Sequence, residues 1–223
     1  MEITDPTVLG GDTWSVTNGL LARELITGRM QIGDQAFITR QPAQIVVAGD
    51  WDNSRSPTYA DLAATFDDDP ARPGSTILER IDSNGVIQAD GRFAVYDVYA
   101  SWYVQETNHQ IASVFWTYLN SLGLINMGGE LVLDQIFEPT FYATGLPITE
   151  AYWTEVPVNG VVSDVLVQCF ERRCLTYTPS NPENWRVEMG NVGQHYFNWR
   201  YNAAYADVPA RPPTNHAGVG LTQ

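Results

Sequence analysis

The stretch that decides the fold lies near the carboxyl end and reads Val165-Leu166-Val167-Gln168-Cys169-Phe170-Glu171-Arg172-Arg173-Cys174-Leu175-Thr176-Tyr177-Thr178. Its two arms are rich in β-branched and aromatic residues, which predicts two strands. If Glu171 and Arg172 form a two-residue loop, Phe170 pairs with Arg173 and Cys169 lies opposite Cys174, close enough to bridge. The sequence therefore predicts either a disulfide, which suits an extracellular protein, or two facing buried thiols. A zinc site is not expected, because no second ligand pair lies nearby.

A short pattern occurs twice, once near each end of the chain. Trp14-Ser15-Val16-Thr17-Asn18-Gly19 and Trp185-Arg186-Val187-Glu188-Met189-Gly190 share the form Trp-x-Val-x-x-Gly. Such repetition predicts a structural module that is used more than once. The second copy has a complete upstream strand and the first has none, so we expect the chain to be a piece of a longer precursor. The start of the chain does not resemble a signal peptide, because Glu2 and Asp5 lie where basic residues are expected, but a signal could have been lost with the missing part.

The segments between the two copies predict short helices and strands. Residues 17–28 predict a helix that Thr17 or Asn18 caps and Gly28 ends. Residues 77–88 predict a hairpin about Asn84-Gly85, and residues 93–104 predict a strand. The longest helix is predicted over 108–122, where apolar residues recur at helical spacing, starting at Thr107 or Asn108 and ending at Gly123. Residues 131–133 predict a strand, and residues 187–200 predict a short helix.

These elements predict an α+β fold, mainly β. Two strand-turn-helix half-modules, which resemble repeats, are bridged by an inserted β/helix segment. We place the first partial module at 1–43, the insertion at 44–128 and the second module at 129–205. Residues 206–223 hold prolines without periodicity and predict a flexible tail.

The charge composition excludes several functional classes. The chain has 26 acidic and 12 basic residues, a net charge of −14, and every basic residue is an arginine. A field of this sign repels phosphate backbones and anionic membranes, so we expect no nucleic-acid partner. Without lysine, neither a Schiff base nor a Walker motif is available. The chain has no run of 18 apolar residues, so we expect no membrane span.

Several motifs in the last third of the chain resemble a known bacterial repeat. They are Gly145-Leu146-Pro147-Ile148-Thr149-Glu150, Val167-Gln168-Cys169-Phe170-Glu171-Arg172, Tyr177-Thr178-Pro179 and Val192-Gly193-Gln194-His195-Tyr196-Phe197-Asn198-Trp199-Arg200. Together they are similar to the LGFP-type repeat of secreted bacterial proteins, over about residues 145–201 and partly over 1–30. The resemblance implies a secreted or cell-surface module that binds cell-wall or extracellular polysaccharide, without a cofactor.

Aromatic and amide side chains supply the candidate contacts for such a ligand. Flat rings offer an apolar face that suits the C–H groups of a sugar, and amides and guanidinium groups bond to hydroxyls. The stacking candidates are Trp153, Tyr177, Trp185, Tyr196 and Trp199. The hydrogen-bonding candidates are Gln194, Asn198 and Arg200. Core packing is the alternative role for the five rings.

A glycoside hydrolase is one alternative function. Asp50 and Asp52 flank Trp51, and a second carboxylate for acid/base chemistry would come from Glu106, Asp97 or Glu155. The competing interpretation is a solvated loop with Asx turns. Asp50-x-Asp52-x-Ser54 and Asp82-x-Asn84 also resemble the start of a calcium loop, but both lack its later glycine and glutamate.

A nucleophilic enzyme with a histidine base is another alternative. The candidate bases are His109, His195 and His216, but the chain has no serine nucleophile motif. A cysteine in a hairpin beside His195 would be a poorly placed nucleophile. A structural subunit of an extracellular layer or filament is the other possibility. In that case, the strand edge left by the missing first half would pair with a neighbouring molecule.

Overall fold

The structure is a computed structural model that describes residues 2–3, 16–53 and 55–201. Trp14 and Ser15 of the first Trp-x-Val-x-x-Gly copy therefore lie outside the described residues. The same holds for Ser54, His216 and the predicted tail at 206–223.

Short strands outnumber helices in the described residues, which confirms an α+β fold that is mainly β. In chain order the strands are β1 Glu2–Ile3, β2 Val16–Thr17, β3 Arg29–Gln31, β4 Phe37–Thr39, β5 Glu79–Ile81, β6 Ile87–Ala89, β7 Ala100–Val104, β8 His109–Ala112, β9 Leu122–Met127, β10 Glu130–Gln135, β11 Tyr152–Val158, β12 Val161–Cys169, β13 Cys174–Tyr177 and β14 Val187–Met189. The α-helices are α1 Leu21–Thr27, α2 Tyr59–Leu62, α3 Ser113–Leu119 and α4 Val192–Tyr201. Within the described residues, 3₁₀ helices span Ala63–Thr65, Gly91–Tyr96 and Glu183–Trp185.

A six-stranded sheet in the order β14-β13-β12-β11-β5-β6 forms the middle of the fold. Its neighbouring strands are antiparallel except for β11 and β5, which are parallel. Two of the six strands come from the predicted insertion at 44–128, and four come from 129–205. The predicted segments therefore share one sheet and do not have separate cores.

Side chains of β12 alternate between two cores, one on each face of the sheet. Val165 and Val167 belong to the core that contains Trp199 of α4, whereas Leu166 belongs to the core that contains Phe115 of α3. This alternation follows from the period of two in a strand. Because both faces are covered, the second half of β12 is buried without interruption.

The β12–β13 hairpin has the register that the sequence predicts. Cys169 lies directly opposite Cys174, and the Phe170 N–H donates to the Arg173 carbonyl at 2.9 Å. The two cysteines form a disulfide with their Cα atoms 3.9 Å apart. Both are buried, so the bridge lies in the core between α4 and the central sheet.

The helix predicted over 108–122 is wrong at both ends. Residues 109–112 form β8, α3 begins only at Ser113, and β9 begins at Leu122. The reason is tertiary: the Gln110 N–H donates to the Glu150 carboxylate at 2.8 Å, and the Ala112 N–H donates to the Gln168 side chain at 3.2 Å. These buried acceptors hold residues 109–112 extended against β7, and the apolar spacing alone did not reveal them.

Other boundaries are partly right. Helix α1 ends at Gly28, which has a φ of 71°, as predicted, but it begins at Leu21 without a side-chain cap from Thr17 or Asn18. The hairpin predicted over 77–88 is confirmed by β5 and β6. The strand predicted over 93–104 begins only at Ala100, after a 3₁₀ helix. The helix predicted over 187–200 is preceded by β14.

Candidate binding cleft

A cleft of about 550 Å³ opens on the face of the sheet that α4 covers. Its floor consists of side chains from β12, β13 and β14, and its walls are the loop 45–51 and the first turns of α4. The polar groups along it include Asp50, Glu188, Gln194, His195 and Asn198. The cleft is therefore open and mostly polar, a shape that suits a hydroxyl-rich ligand.

The helical period of α4 explains which of its side chains enter the cleft. Asn191, Gln194, His195 and Asn198 follow the spacing i, i+3, i+4, i+7, so they share one face, and all four line the cleft. Residues 192, 196 and 199 occupy the opposite face and pack against the core. The sequence pattern of α4 thus separates a ligand-accessible amide face from an anchoring face.

The anchoring face fixes α4 against the amino-terminal part of the chain. The Trp199 indole N–H donates to the Gln41 carbonyl at 2.9 Å, and Arg200 donates to the Gln31 carbonyl at 3.1 Å. The Tyr196 hydroxyl donates to Glu24, and burial together with that hydrogen bond raises the pKa of Tyr196 to about 12. Three predicted ligand contacts, Tyr196, Trp199 and Arg200, therefore hold the helix in place.

The opposite wall depends on a close approach of the chain at Gly49. Its φ is +79°, and a Cβ there would lie 2.7 Å from the Pro157 carbonyl oxygen, so a side chain does not fit. The next residue, Asp50, accepts backbone hydrogen bonds from Asn159 at 3.0 Å and Gly160 at 2.9 Å. These contacts tie the loop to the turn between β11 and β12.

Trp51 follows this anchor and is 84% exposed at the cleft. An indole of this size rarely stays so exposed, and large exposed apolar groups commonly mark binding sites. Trp185 is also exposed, at 66%, but it does not line the cleft. The indole positioned for a ligand in the cleft is therefore Trp51, which the sequence singles out only as part of the hydrolase alternative.

His195 is held in the cleft wall as a neutral ring. Its Nδ1 lies 3.0 Å from the hydroxyl of Tyr59, and burial lowers the pKa of His195. Burial also raises the pKa of Tyr59, so its hydroxyl keeps the proton and can donate to an unprotonated Nδ1. No serine hydroxyl or thiol is bonded to His195 among the described residues, and both cysteines are in the disulfide.

Of the eight predicted contact residues, Gln194 and Asn198 line the cleft. Trp153 has no surface to offer a ligand, because it is fully buried, stacks on Phe93 at 4.9 Å and donates to the Ile77 carbonyl at 2.9 Å. Trp199 is likewise buried. Tyr177 packs edge-on against Trp153 in the core on the other side of the sheet. Trp153, Trp199 and Tyr177 are thus packing residues.

The predicted acidic residues have mostly structural partners. Asp50 lines the cleft, but both of its carboxylate oxygens accept backbone N–H groups. Glu155 pairs with Arg80 and Arg92, each at 3.1 Å. Asp52, Asp97 and Glu106 are exposed and do not line the cleft. The hydrolase alternative needs two free carboxylates in the cleft, and the predicted acidic residues do not supply such a pair.

The described residues offer little support for a calcium loop. Asp82 accepts the backbone N–H groups of Asn84 at 2.7 Å and Val86 at 3.0 Å, which is an Asx-type turn. Across residues 2–3, 16–53 and 55–201, no group of three or more acidic, histidine or cysteine side chains is arranged to hold a metal ion. In the same ranges no helix has both the length and the apolar character needed to cross a bilayer.

Comparisons with known proteins leave the cleft to be interpreted from its own chemistry. The chain matches no family model, no curated protein and no solved structure.

Proposed function

We propose that this chain is a non-catalytic module that binds cell-wall or extracellular polysaccharide, at the cell surface or outside the cell. The observation that carries the proposal is the position of Trp51, an exposed indole beside a cleft whose helical wall presents Gln194 and Asn198. A sugar ring stacks on an indole through its C–H face, while amides donate to and accept from its hydroxyls.

The rigidity of both walls supports a binding role. Asp50 ties the loop to the β11–β12 turn, and Trp199 and Arg200 tie α4 to residues 31–41. A preformed site loses little conformational entropy when a ligand binds. Asp50 supports the non-catalytic form of the proposal, because a carboxylate already engaged by two backbone donors is poorly placed to transfer protons.

The test is retention of the purified protein on insoluble peptidoglycan, purified wall polysaccharide and cellulose, with reducing-sugar release assayed in the same tubes. We expect retention on at least one polysaccharide without release of reducing sugar. Release would contradict the non-catalytic role and direct attention to Asp50 and Glu188 in the cleft. A protein that stays in the supernatant with all three polymers would contradict the proposal as a whole.

A further inference from the structure

The β9–β10 hairpin carries a surface of four leucines that the rest of the described chain leaves open. Leu122, Leu124, Leu131 and Leu133 are 60%, 69%, 67% and 68% exposed. The hairpin is a two-stranded sheet outside the central sheet, and it turns at Gly128-Gly129, where both φ values are positive. Single exposed leucines are ordinary, but a contiguous apolar patch marks an interaction surface.

The register places the four leucines on one face. Leu124 lies directly opposite Leu133, Leu122 opposite Gln135, and Leu131 opposite Asn126. Because strand side chains alternate with a period of two, these three pairs point the same way. We call this surface the leucine face; its residues are Leu122, Leu124, Asn126, Leu131, Leu133 and Gln135.

The charges of the hairpin lie on its other face. Glu130 and Asp134 alternate with Leu131 and Leu133, so they share the opposite face with Ile125 and Val132. Ile125 and Val132 are only partly exposed. The leucine face therefore has no ionisable group, although the whole chain has a net charge of −14.

We propose that the leucine face pairs with the leucine face of a second copy of this chain. Two molecules of charge −14 repel each other, and this repulsion is smallest when they meet through an uncharged surface such as the leucine face, which brings no like charges into contact. The Leu124–Leu133 pair gives the face an apolar centre with Asn126 and Gln135 toward its margins. Such a surface is self-complementary about a two-fold axis, which an isologous dimer requires.

The size of the leucine face fits a weak dimer. Each leucine exposes on the order of 100 Å², so two copies bring together roughly 800 Å² of leucine surface. The flanking polar residues raise the total toward about 1,200 Å², the lower bound for specific interfaces. We therefore expect a dissociation constant in the micromolar range. A membrane surface is a poorer occupant, because a chain of net charge −14 is repelled by anionic bilayers.

The experiment is sedimentation velocity of the purified chain from about 1 to about 300 µM, which brackets a micromolar dissociation constant. The wild type is compared with Leu124→Thr/Leu133→Thr and with the matched pair Ile125→Thr/Val132→Thr on the other face. Threonine keeps strand propensity while it removes apolar surface. We expect the wild type and the Ile125/Val132 variant to dimerise, and the leucine variant to dimerise at least tenfold more weakly.

Thermal unfolding checks each variant, and Leu131→Thr replaces the double variant if that one does not fold. A wild type that stays monomeric over the whole range would overturn the proposal. So would a dimer that the leucine-face substitutions leave unchanged. A monomer that binds phosphatidylcholine vesicles through the same leucines would also overturn it, in favour of a lipid surface. None of these outcomes bears on polysaccharide binding in the cleft.

Discussion

The hydroxyl of Tyr59 and the Nδ1 atom of His195 lie 3.0 Å apart, and this contact joins α2 to the cleft face of α4. Burial lowers the pKa of His195 below its ordinary value of 6.5. The lowered pKa favours the neutral ring, whose unprotonated Nδ1 can accept from the Tyr59 hydroxyl. On a protonated ring Nδ1 carries a hydrogen, so it could only donate to the Tyr59 oxygen and no longer accept from it.

A pH dependence of stability follows from the lowered pKa of His195. As the pH falls below 6.5, the unfolded chain binds a proton that the folded chain binds only at lower pH, so the free energy of unfolding decreases. We expect His195→Gln to remove the part of this pH-dependent decrease that His195 causes. Urea unfolding between about pH 7.5 and about pH 5, a range that extends at least one unit either side of the ordinary histidine pKa, measures the difference in unfolding free energy between variant and wild type.

Tyr59→Phe is the control for that measurement, because it deletes the hydroxyl and keeps the titrating ring. We expect Tyr59→Phe to keep the pH-dependent decrease in unfolding free energy that His195→Gln removes. If His195→Gln and the wild type lose stability in parallel as the pH falls, His195 does not contribute to the acid sensitivity.

Gly49 sets the position of the cleft loop, and Gly49→Ala tests this. Alanine there combines a positive φ with a Cβ placed 2.7 Å from the Pro157 carbonyl oxygen. Gly74→Ala is the matched control, since Gly74 has a φ of +75° and open space around it. The cost of placing alanine at a positive φ, about 1 kcal/mol in the free energy of unfolding, is common to both variants. Any larger destabilisation by Gly49→Ala therefore measures the clash with Pro157. Equal losses in urea unfolding would show that the loop moves aside freely.

Asp50 anchors the same loop, and Asp50→Ala leaves the N–H groups of Asn159 and Gly160 without their acceptor. We expect a loss of about 1–2 kcal/mol in the free energy of unfolding, because each net hydrogen bond contributes about 1 kcal/mol. We also expect weaker polysaccharide binding, because Trp51 is displaced. Asp52→Ala, a neighbouring exposed site, serves as the control. Equal stability of the two variants would mean that Asp50 does not anchor the loop.

The charge of the cleft predicts which sugars bind. Asp50 and Glu188 line it, and no arginine does so among the described residues. We expect a neutral polysaccharide to bind more tightly than one rich in uronic acid. Glu188→Gln should reduce the ratio of the two dissociation constants by about two- to fivefold at low salt, as expected for an exposed charge. Glu183→Gln makes the same change in net charge outside the cleft, so an equal effect of both variants would indicate only a long-range field.

Local sequence signals were sufficient where the contacts are local. The β12–β13 hairpin could be predicted because a two-residue loop fixes its register and brings Cys169 opposite Cys174. The end of α1 could be predicted because Gly28 adopts a positive φ that glycine favours. In both cases the deciding residues lie within a few positions of each other.

Signals failed where the deciding partner is distant in sequence. Residues 109–112 have helical apolar spacing, but buried acceptors on Glu150 and Gln168 hold them in a strand. Strand β9 was missed, although alternating apolar residues before Gly128-Gly129 are a hairpin signal.

The cleft itself joins two distant parts of the chain, so no local pattern could place Trp51 and Asn198 in the same cleft. The spacing of Asn191, Gln194, His195 and Asn198 did contain a signal. It marks one polar face of a short helix, opposite an apolar face at Val192, Tyr196 and Trp199. Residue type alone favours Trp153 and Trp199 as ligand contacts, but both are buried in the core.

The most direct test of the polysaccharide-binding cleft compares Trp51→Ala with Trp185→Ala. Both substitutions remove an exposed indole, 84% and 66% accessible, and only Trp51 lines the cleft. Isothermal titration calorimetry with soluble fragments of the retained polysaccharide gives the dissociation constants. We expect Trp51→Ala to weaken binding about 30-fold, the effect of losing an aromatic hot spot, and Trp185→Ala to leave binding unchanged. Loss of binding in Trp185→Ala with full binding in Trp51→Ala would contradict the assignment of the cleft.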